Sequence, residues 1–232
     1  EIIPEQDIKA MCDTKLKQHI KDHVVICRHK GTDKLRTCVK DTLKTNGHTF
    51  SYSCYHNAIN NCNDKDSNEM FKKFVSWRID LIGRYIVKAY APKVKKSEMM
   101  YTLPMEFSGI ENVEKESKGK LYKKRVYNFD KNKTISVPNF SEVKCFVPLN
   151  CRGTNEYANK VILIHCHNQF INPCVKSYYD NFTNIKVDQN EYALNTLVQW
   201  IFRSRIRNYV SGEKIYVYCL SERMELILKN WL

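Results

Sequence analysis

The chain has 232 residues, 43% of them hydrophobic and 12% aromatic, which is enough for one substantial core or two small ones and too apolar for a disordered chain. With 38 Lys+Arg against 25 Asp+Glu it carries a net charge of +13, a balance that points to nucleic acid or another anionic surface as partner. No apolar run approaches the roughly 20 residues needed to span a bilayer, and Glu1 to Ala10 is too polar for a signal-peptide core, so the chain reads as soluble and cytoplasmic, with no membrane partner.

In chain order, His23 to Arg28 (HVVICR) is a short β-branched run that predicts a strand. After Gly31, a charged, periodic stretch from Thr32 to Lys44, closed by Asn46-Gly47, predicts a capped helix. Thr49 to Tyr55 (TFSYSCY) has strand composition, and Glu69 to about Ala89, ending before Pro92, predicts a second helix. Strands and helices alternating at this length favour an α/β fold, a parallel sheet flanked by helices. From Lys93 to about Asn139 the periodicity dissolves into crowded lysines and scattered aromatics, which reads as a basic insertion or linker. Such a segment could follow a phosphate backbone and stack on bases, or be a solvated loop or small hairpin. Regularity returns as strand Glu142 to Pro148, loop Leu149 to Asn159, strand Lys160 to Cys166 and a short helix after Pro173. Helix Glu191 to Asn208, strand Lys214 to Leu220 and helix Glu222 to Leu232 complete the chain.

Two pieces of this order carry chemistry. The loop after strand Glu142 to Pro148 reads Arg152-Gly153-Thr154-Asn155, small and polar groups at a strand's carboxy end, where α/β sheets place ligands. A plain turn using Gly153 for its permissive φ gives the same four residues. On helix Glu191 to Asn208, at about 100° per residue, Gln199, Arg203 and Arg207 form one stripe while Leu194, Leu197, Val198 and Ile201 form an apolar face. A positioned arginine fork suits phosphate oxygens; an exposed basic helix face explains the same spacing.

In this order the pieces resemble motifs V and VI in the second, RecA-like lobe of a superfamily 2 helicase, and Asn150 to Phe170 and Glu191 to Leu232 are similar to the end of DEAD/DEAH-type helicases of phages and mobile elements. The resemblance implies that Arg152, Gly153, Thr154 and Asn155 link nucleic acid to the nucleotide cleft, and that Gln199 and Arg203 belong to motif VI, with Arg203 the arginine finger. Arg205 and Arg207, six and eight residues after Gln199, straddle the family's spacing of seven for the second arginine, and the helical stripe favours Arg207. The implied organisation is a first part of a RecA-like lobe over 1–92, a basic insertion over 93–141 and the motif V/VI part over 142–232. The implied partners are DNA, or RNA, and an N-terminal lobe in cis or trans. ATP and Mg²⁺ would belong to the complete two-lobe enzyme, because this chain has neither a Gly-x-x-x-x-Gly-Lys-Ser/Thr loop nor an Asp-Glu-x-Asp/His box.

Other chemistries are less well served. His48, Cys54, His56 and Cys62 lie close together but lack zinc-ligand spacing, and His165 and His167 share one strand face as surface or loop-packing residues, so no metal is expected. Cys27, Cys145, Cys166 and Cys219 each lie inside a short apolar run, which predicts reduced, buried thiols. Ten cysteines and Asn-x-Ser/Thr tripeptides at Asn132, Asn139 and Asn181 leave a secreted, disulfide-bonded protein as a third reading. Of a different class from the motor is a stand-alone basic nucleic-acid-binding module that keeps the fold without motor activity.

Overall fold

The computed structural model describes residues 14–15, 17–29, 31–33, 36–37, 49–60, 65–117, 120–127, 134–137, 145–149, 155–183, 186–208 and 212–232, with the backbone alone over 110–127. Its elements are β1 (Val24–Ile26), α1 (Tyr52–Ile59), α2 (Lys65–Tyr90), β2 (Met99–Thr102), β3 (Ile110–Ser117) and β4 (Lys120–Tyr127), then β5 (Ile162–His165), α3 (Pro173–Phe182), α4 (Gln189–Ile201), β6 (Ile215–Cys219) and α5 (Glu222–Trp231). Four strands form one parallel sheet in the order β1-β6-β5-β2, and β3 and β4 pair as a separate antiparallel hairpin. β2 and β5 are buried along their whole length, the pattern of strands inside a covered parallel sheet.

Alternate residues of each strand feed two cores. Tyr101, Ile162, Ile164 and Tyr218 pack with Tyr55 of α1 and with Val75, Ile79, Ile82 and Ile86, the one-face stripe of α2. Met100, Leu163, Val217 and Cys219 pack on the other side with Leu197 and Trp200 of α4 and with Met224 and Leu228 of α5. Trp200, fully buried, donates its Nε1 hydrogen to Val147 O at 2.9 Å, which ties α4 to the segment bridged in parallel to β2 through Tyr101 and Phe146. The α/β fold with a parallel sheet flanked by helices is the one expected.

Three expectations are corrected. Thr49 to Tyr55 is not a strand: Ser51 caps α1 by accepting the Cys54 N–H, and Cys54, Tyr55, Ala58 and Ile59 make a helical buried face. Aromatic strand propensity gives way there to the cap and the tertiary contacts. Second, the stretch from Lys93 to Asn139 is not all insertion, since Met99–Thr102 is a sheet strand paired with β5, and only the β3-β4 hairpin stands apart. Third, α4 stops at Ile201. Ser204 takes an extended ψ of −170° while its hydroxyl donates to Ile201 O, and a 3₁₀ turn, Arg205–Arg207, then follows. Most of the predicted helix Thr32 to Lys44 lies outside the described residues, as does the loop Arg152-Gly153-Thr154.

The path of the chain creates a crevice. From β1 it crosses to the α1/α2 face on the way to β2, whereas from the adjacent β6 it turns to the opposite face as α5. Neighbouring strands whose chains leave to opposite faces open a gap at their carboxy ends, the position where open α/β sheets take ligands.

Candidate anion-binding cleft

The gap holds a cleft of about 590 Å³, lined by Arg28, Asp33, Arg36, Thr37, Thr49, Phe50, Asn168 and the first turn of α5. Arg28 is in the loop that ends β1. Beyond it the chain turns at Gly31, whose φ of +85° an L side chain rarely adopts, and buries Thr32. The Thr32 hydroxyl donates to His29 O at 2.7 Å and accepts from Arg78 Nη2 at 2.7 Å, so the turn is fixed from below by α2.

Arg36 is the buried wall of the cleft. Its Nε donates to Leu220 O and its Nη2 to Cys219 O, both at 2.9 Å, and Nη2 also reaches Glu225 Oε2 at 2.7 Å. The guanidinium thereby takes up carbonyls at the end of β6, while its Nη1 has no hydrogen bond among the described residues. Burial pushes the Glu225 carboxyl up, but hydrogen bonds from Lys229 and Arg36 outweigh it and hold the group below its ordinary range.

Arg223, at the start of α5, is held on all sides. Its Nη1 donates to Asn168 Oδ1 at 3.1 Å and Gln169 O at 2.7 Å, its Nη2 to Gln189 O at 2.8 Å and its Nε to Asn190 Oδ1 at 3.1 Å. Its guanidinium lies 4.3 Å from the Phe170 ring centroid, a cation–π contact. Ser221 caps α5 through the Met224 N–H, and the positive end of the helix dipole opens on the cleft beside the arginines. Asn168 completes the rim by donating to Thr49 O and accepting from Arg223, next to Phe50 at a φ of +62°. Arg28 and Arg36 Nη1 are the donors a phosphate could take, and the bonded Arg223 adds its charge beside the helix amino terminus.

The residues singled out by the helicase resemblance lie at the other end of the sheet. Arg205 N–H bonds Lys160 O, immediately before β5, so the end of α4 sits at the sheet's amino edge. That edge is roughly 15 Å from the cleft, at about 3.3 Å per strand residue. Gln199 is exposed, and Arg203 is half-buried with its Nε lacking an acceptor among the described residues. Arg207 sits in the 3₁₀ turn, off the helical line through Gln199 and Arg203. Asn155 is exposed in the bend leading to β5 and shares that edge, while the remainder of its motif is outside the described residues. Arg205, second in line on the sequence spacing, is committed to Glu98 at 2.6 Å and Glu213 at 2.5 Å.

Sequence reasoning missed the cleft arginines. The signals were there in part: an arginine and a glycine directly after a β-branched strand, and a serine cap with an arginine directly after the last one. That the two loops meet depends on β1 pairing with β6, nearly 190 residues later.

Histidines and thiols serve the core. His165 is wholly buried against the Trp200 ring rather than on the surface, and burial pushes its pKa from 6.5 down to about 3. Burial likewise raises the thiols of Cys27 and Cys219 to about 12, and Cys54, Cys145 and Cys166 are also buried thiols outside any disulfide. Among the described residues, no group of three or more His, Cys, Asp or Glu could hold a metal ion, and no helix is long and apolar enough to cross a membrane.

Comparison with known proteins gives two matches. A family model described as the YonV C-terminal Rossmann-like domain matches residues 52–232. The chain is also similar to the SPbeta prophage-derived uncharacterized protein YonV of Bacillus subtilis (strain 168), with 38% identity over 89 residues, 38% of this chain. The match spans 21% of that relative's length. No solved structure matches.

Proposed function

This chain belongs to the family of YonV C-terminal Rossmann-like domains, and we propose that its working site is the arginine-lined cleft, which binds a phosphate-bearing ligand such as a nucleotide or a DNA strand. One observation carries the reading. Arg28, Arg36 and Arg223 surround the amino terminus of α5 at the crossover between β1 and β6. The net charge of +13 would draw such a ligand in, with an affinity that falls as salt screens the field. RNA carries the same phosphates and is not distinguished by this chemistry.

Titration with inorganic pyrophosphate and with a short single-stranded DNA tests it. The wild-type chain binds both, more weakly as salt rises, and Arg28→Ala weakens both. Arg28 is the right probe because its side chain is 52% exposed, so its loss disturbs the ligand and not the fold. Full affinity in Arg28→Ala would move binding away from the cleft.

A second, finer reading keeps the helicase resemblance. The chain would be the C-terminal lobe of an ATP-dependent helicase or translocase, with ATP and Mg²⁺ held by an N-terminal lobe in cis or trans. Arg203 would reach the ATP across the lobe boundary, with Gln199 and Arg207 beside it, and Arg152, Gly153, Thr154 and Asn155 would face the nucleic acid. It is favoured by Arg203 Nε, which is buried with no acceptor among the described residues, as expected of a guanidinium whose partner comes from elsewhere. Nucleic-acid-stimulated ATP hydrolysis by the longest product of the native reading frame, lost in Arg203→Ala, would support this reading. No hydrolysis in that product leaves the stand-alone binding module, the cleft being its site.

A further inference from the structure

Two of the cleft arginines, the exposed Arg28 and the buried Arg36, already face an anion. Arg28 Nη2 donates to both carboxylate oxygens of Asp33 at 2.9 Å each, and Arg36 Nη1 faces Asp33 Oδ1 at 3.5 Å. The Arg36 side chain is 7% exposed and that of Asp33 64%, so a buried cation looks out at a carboxylate that solvent can pull away. Since Nε and Nη2 of Arg36 are spent on Leu220, Cys219 and Glu225, Nη1 is the part left for a ligand. The backbone before Asp33 is anchored, because Thr32 is buried and bonded to His29 O and Arg78. The Arg28 hydrogen bond keeps the Asp33 carboxyl below its ordinary range, hence ionised near neutral pH.

We infer that Asp33 is a resident anion of the cleft, standing where the ligand's phosphate goes, and that it makes the site select terminal phosphomonoesters over internal phosphodiesters. This rests on the cleft being the phosphate site. A ligand must displace the Asp33 carboxylate from Arg28 and Arg36 Nη1. A diester brings one negative charge to replace one, with no electrostatic gain. A phosphomonoester carries close to two charges at pH 7 and three strong acceptor oxygens, enough to take both arginines and the mouth of α5 together.

The test compares one single-stranded oligonucleotide with a 5′-phosphate and with a 5′-hydroxyl, with inorganic phosphate as competitor, on the full chain and on Asp33→Asn. The wild type binds the phosphorylated end more tightly, and inorganic phosphate competes with it. Asp33→Asn binds the hydroxyl-ended strand about fivefold more tightly, the size expected of one exposed ion pair, and the preference for the phosphorylated end narrows. Asp33→Glu keeps the charge and the preference. If Asp33→Asn changes neither affinity nor preference while Arg28→Ala still weakens binding, Asp33 is no resident anion and the cleft remains the phosphate site. If neither variant changes any affinity, both readings fall.

Discussion

The two ends of the parallel sheet are built in opposite ways. At the amino end the chain closes on itself: Arg205 joins Glu98, Glu213 and Asn159 O, Lys160 Nζ donates to Ser97 O, and Lys214 Nζ donates to Asp22 O. At the carboxy end, beside the bonded Arg36 and Asn168, some polar groups are buried without partners among the described residues. Thr102, His165 and Cys219 stand in one register row across three strands, and the Thr102 hydroxyl and both ring nitrogens of His165 have no hydrogen bond among the described residues. A buried polar group left without a partner costs about 1–3 kcal/mol, so this row lowers stability at the end that carries the cleft. Local rules broken at one end and kept at the other point to where ligand chemistry happens. Arg203 Nε is the exception at the closed end.

The largest effect should come from the cleft's buried wall. Arg36 and Glu225 have side chains 7% and 5% exposed, and removing one leaves the other charge uncompensated. Arg36→Met should cost about 3 kcal/mol in urea unfolding, with Lys229 limiting the loss. Adding Glu225→Leu should return most of it, because a buried pair exchanged for apolar side chains is often close to neutral. A loss under about 1 kcal/mol would mean that the carboxy end is not held by this pair.

Acid should separate the ends next. Burial lowers His165 to about 3 and His167 to about 4, both from 6.5. These groups are neutral when folded and take up protons when unfolded, so their contribution to stability is whole above 6.5 and is lost as pH falls from there toward those lowered values. In His165→Leu the slope of stability against pH between 6.5 and 4.5 should shrink by about 1.4 kcal/mol per unit, and neutral-pH stability should not fall, since two orphaned nitrogens disappear. An unchanged slope would show that His165 is solvated.

Much of the layer structure was legible because buried strands and amphipathic helices print their period on the sequence. Ile162–His165, Ile215–Cys219, Glu222–Trp231 and most of Lys65–Tyr90 fall where apolar runs and caps predict them. Met99–Thr102 was hidden because methionines are weak strand formers and the run is flanked by lysines, so only its pairing with β5 makes it a strand. The end of α4 was hidden because Gln199, Arg203 and Arg207 keep helical spacing through a break that depends on the tertiary bond from Arg205 N–H to Lys160 O. The cleft was invisible for the same reason on a larger scale. Arg28 and Arg223 become neighbours of one site only once β1 pairs with β6.

The smallest effect tests the closed end. Arg205 is 23% exposed and Glu98 21%, so the pair is partly screened, and Glu213 at 56% adds little. Arg205→Ala should therefore cost about 1 kcal/mol, mostly from the Glu98 and Asn159 hydrogen bonds, without altering phosphate affinity. Arg28→Ala should do the reverse, leaving the urea midpoint alone and weakening the ligand. If Arg205→Ala instead abolished phosphate binding in a folded chain, the ligand would belong at the amino edge beside Arg203, and the division of labour between the two ends would be reversed.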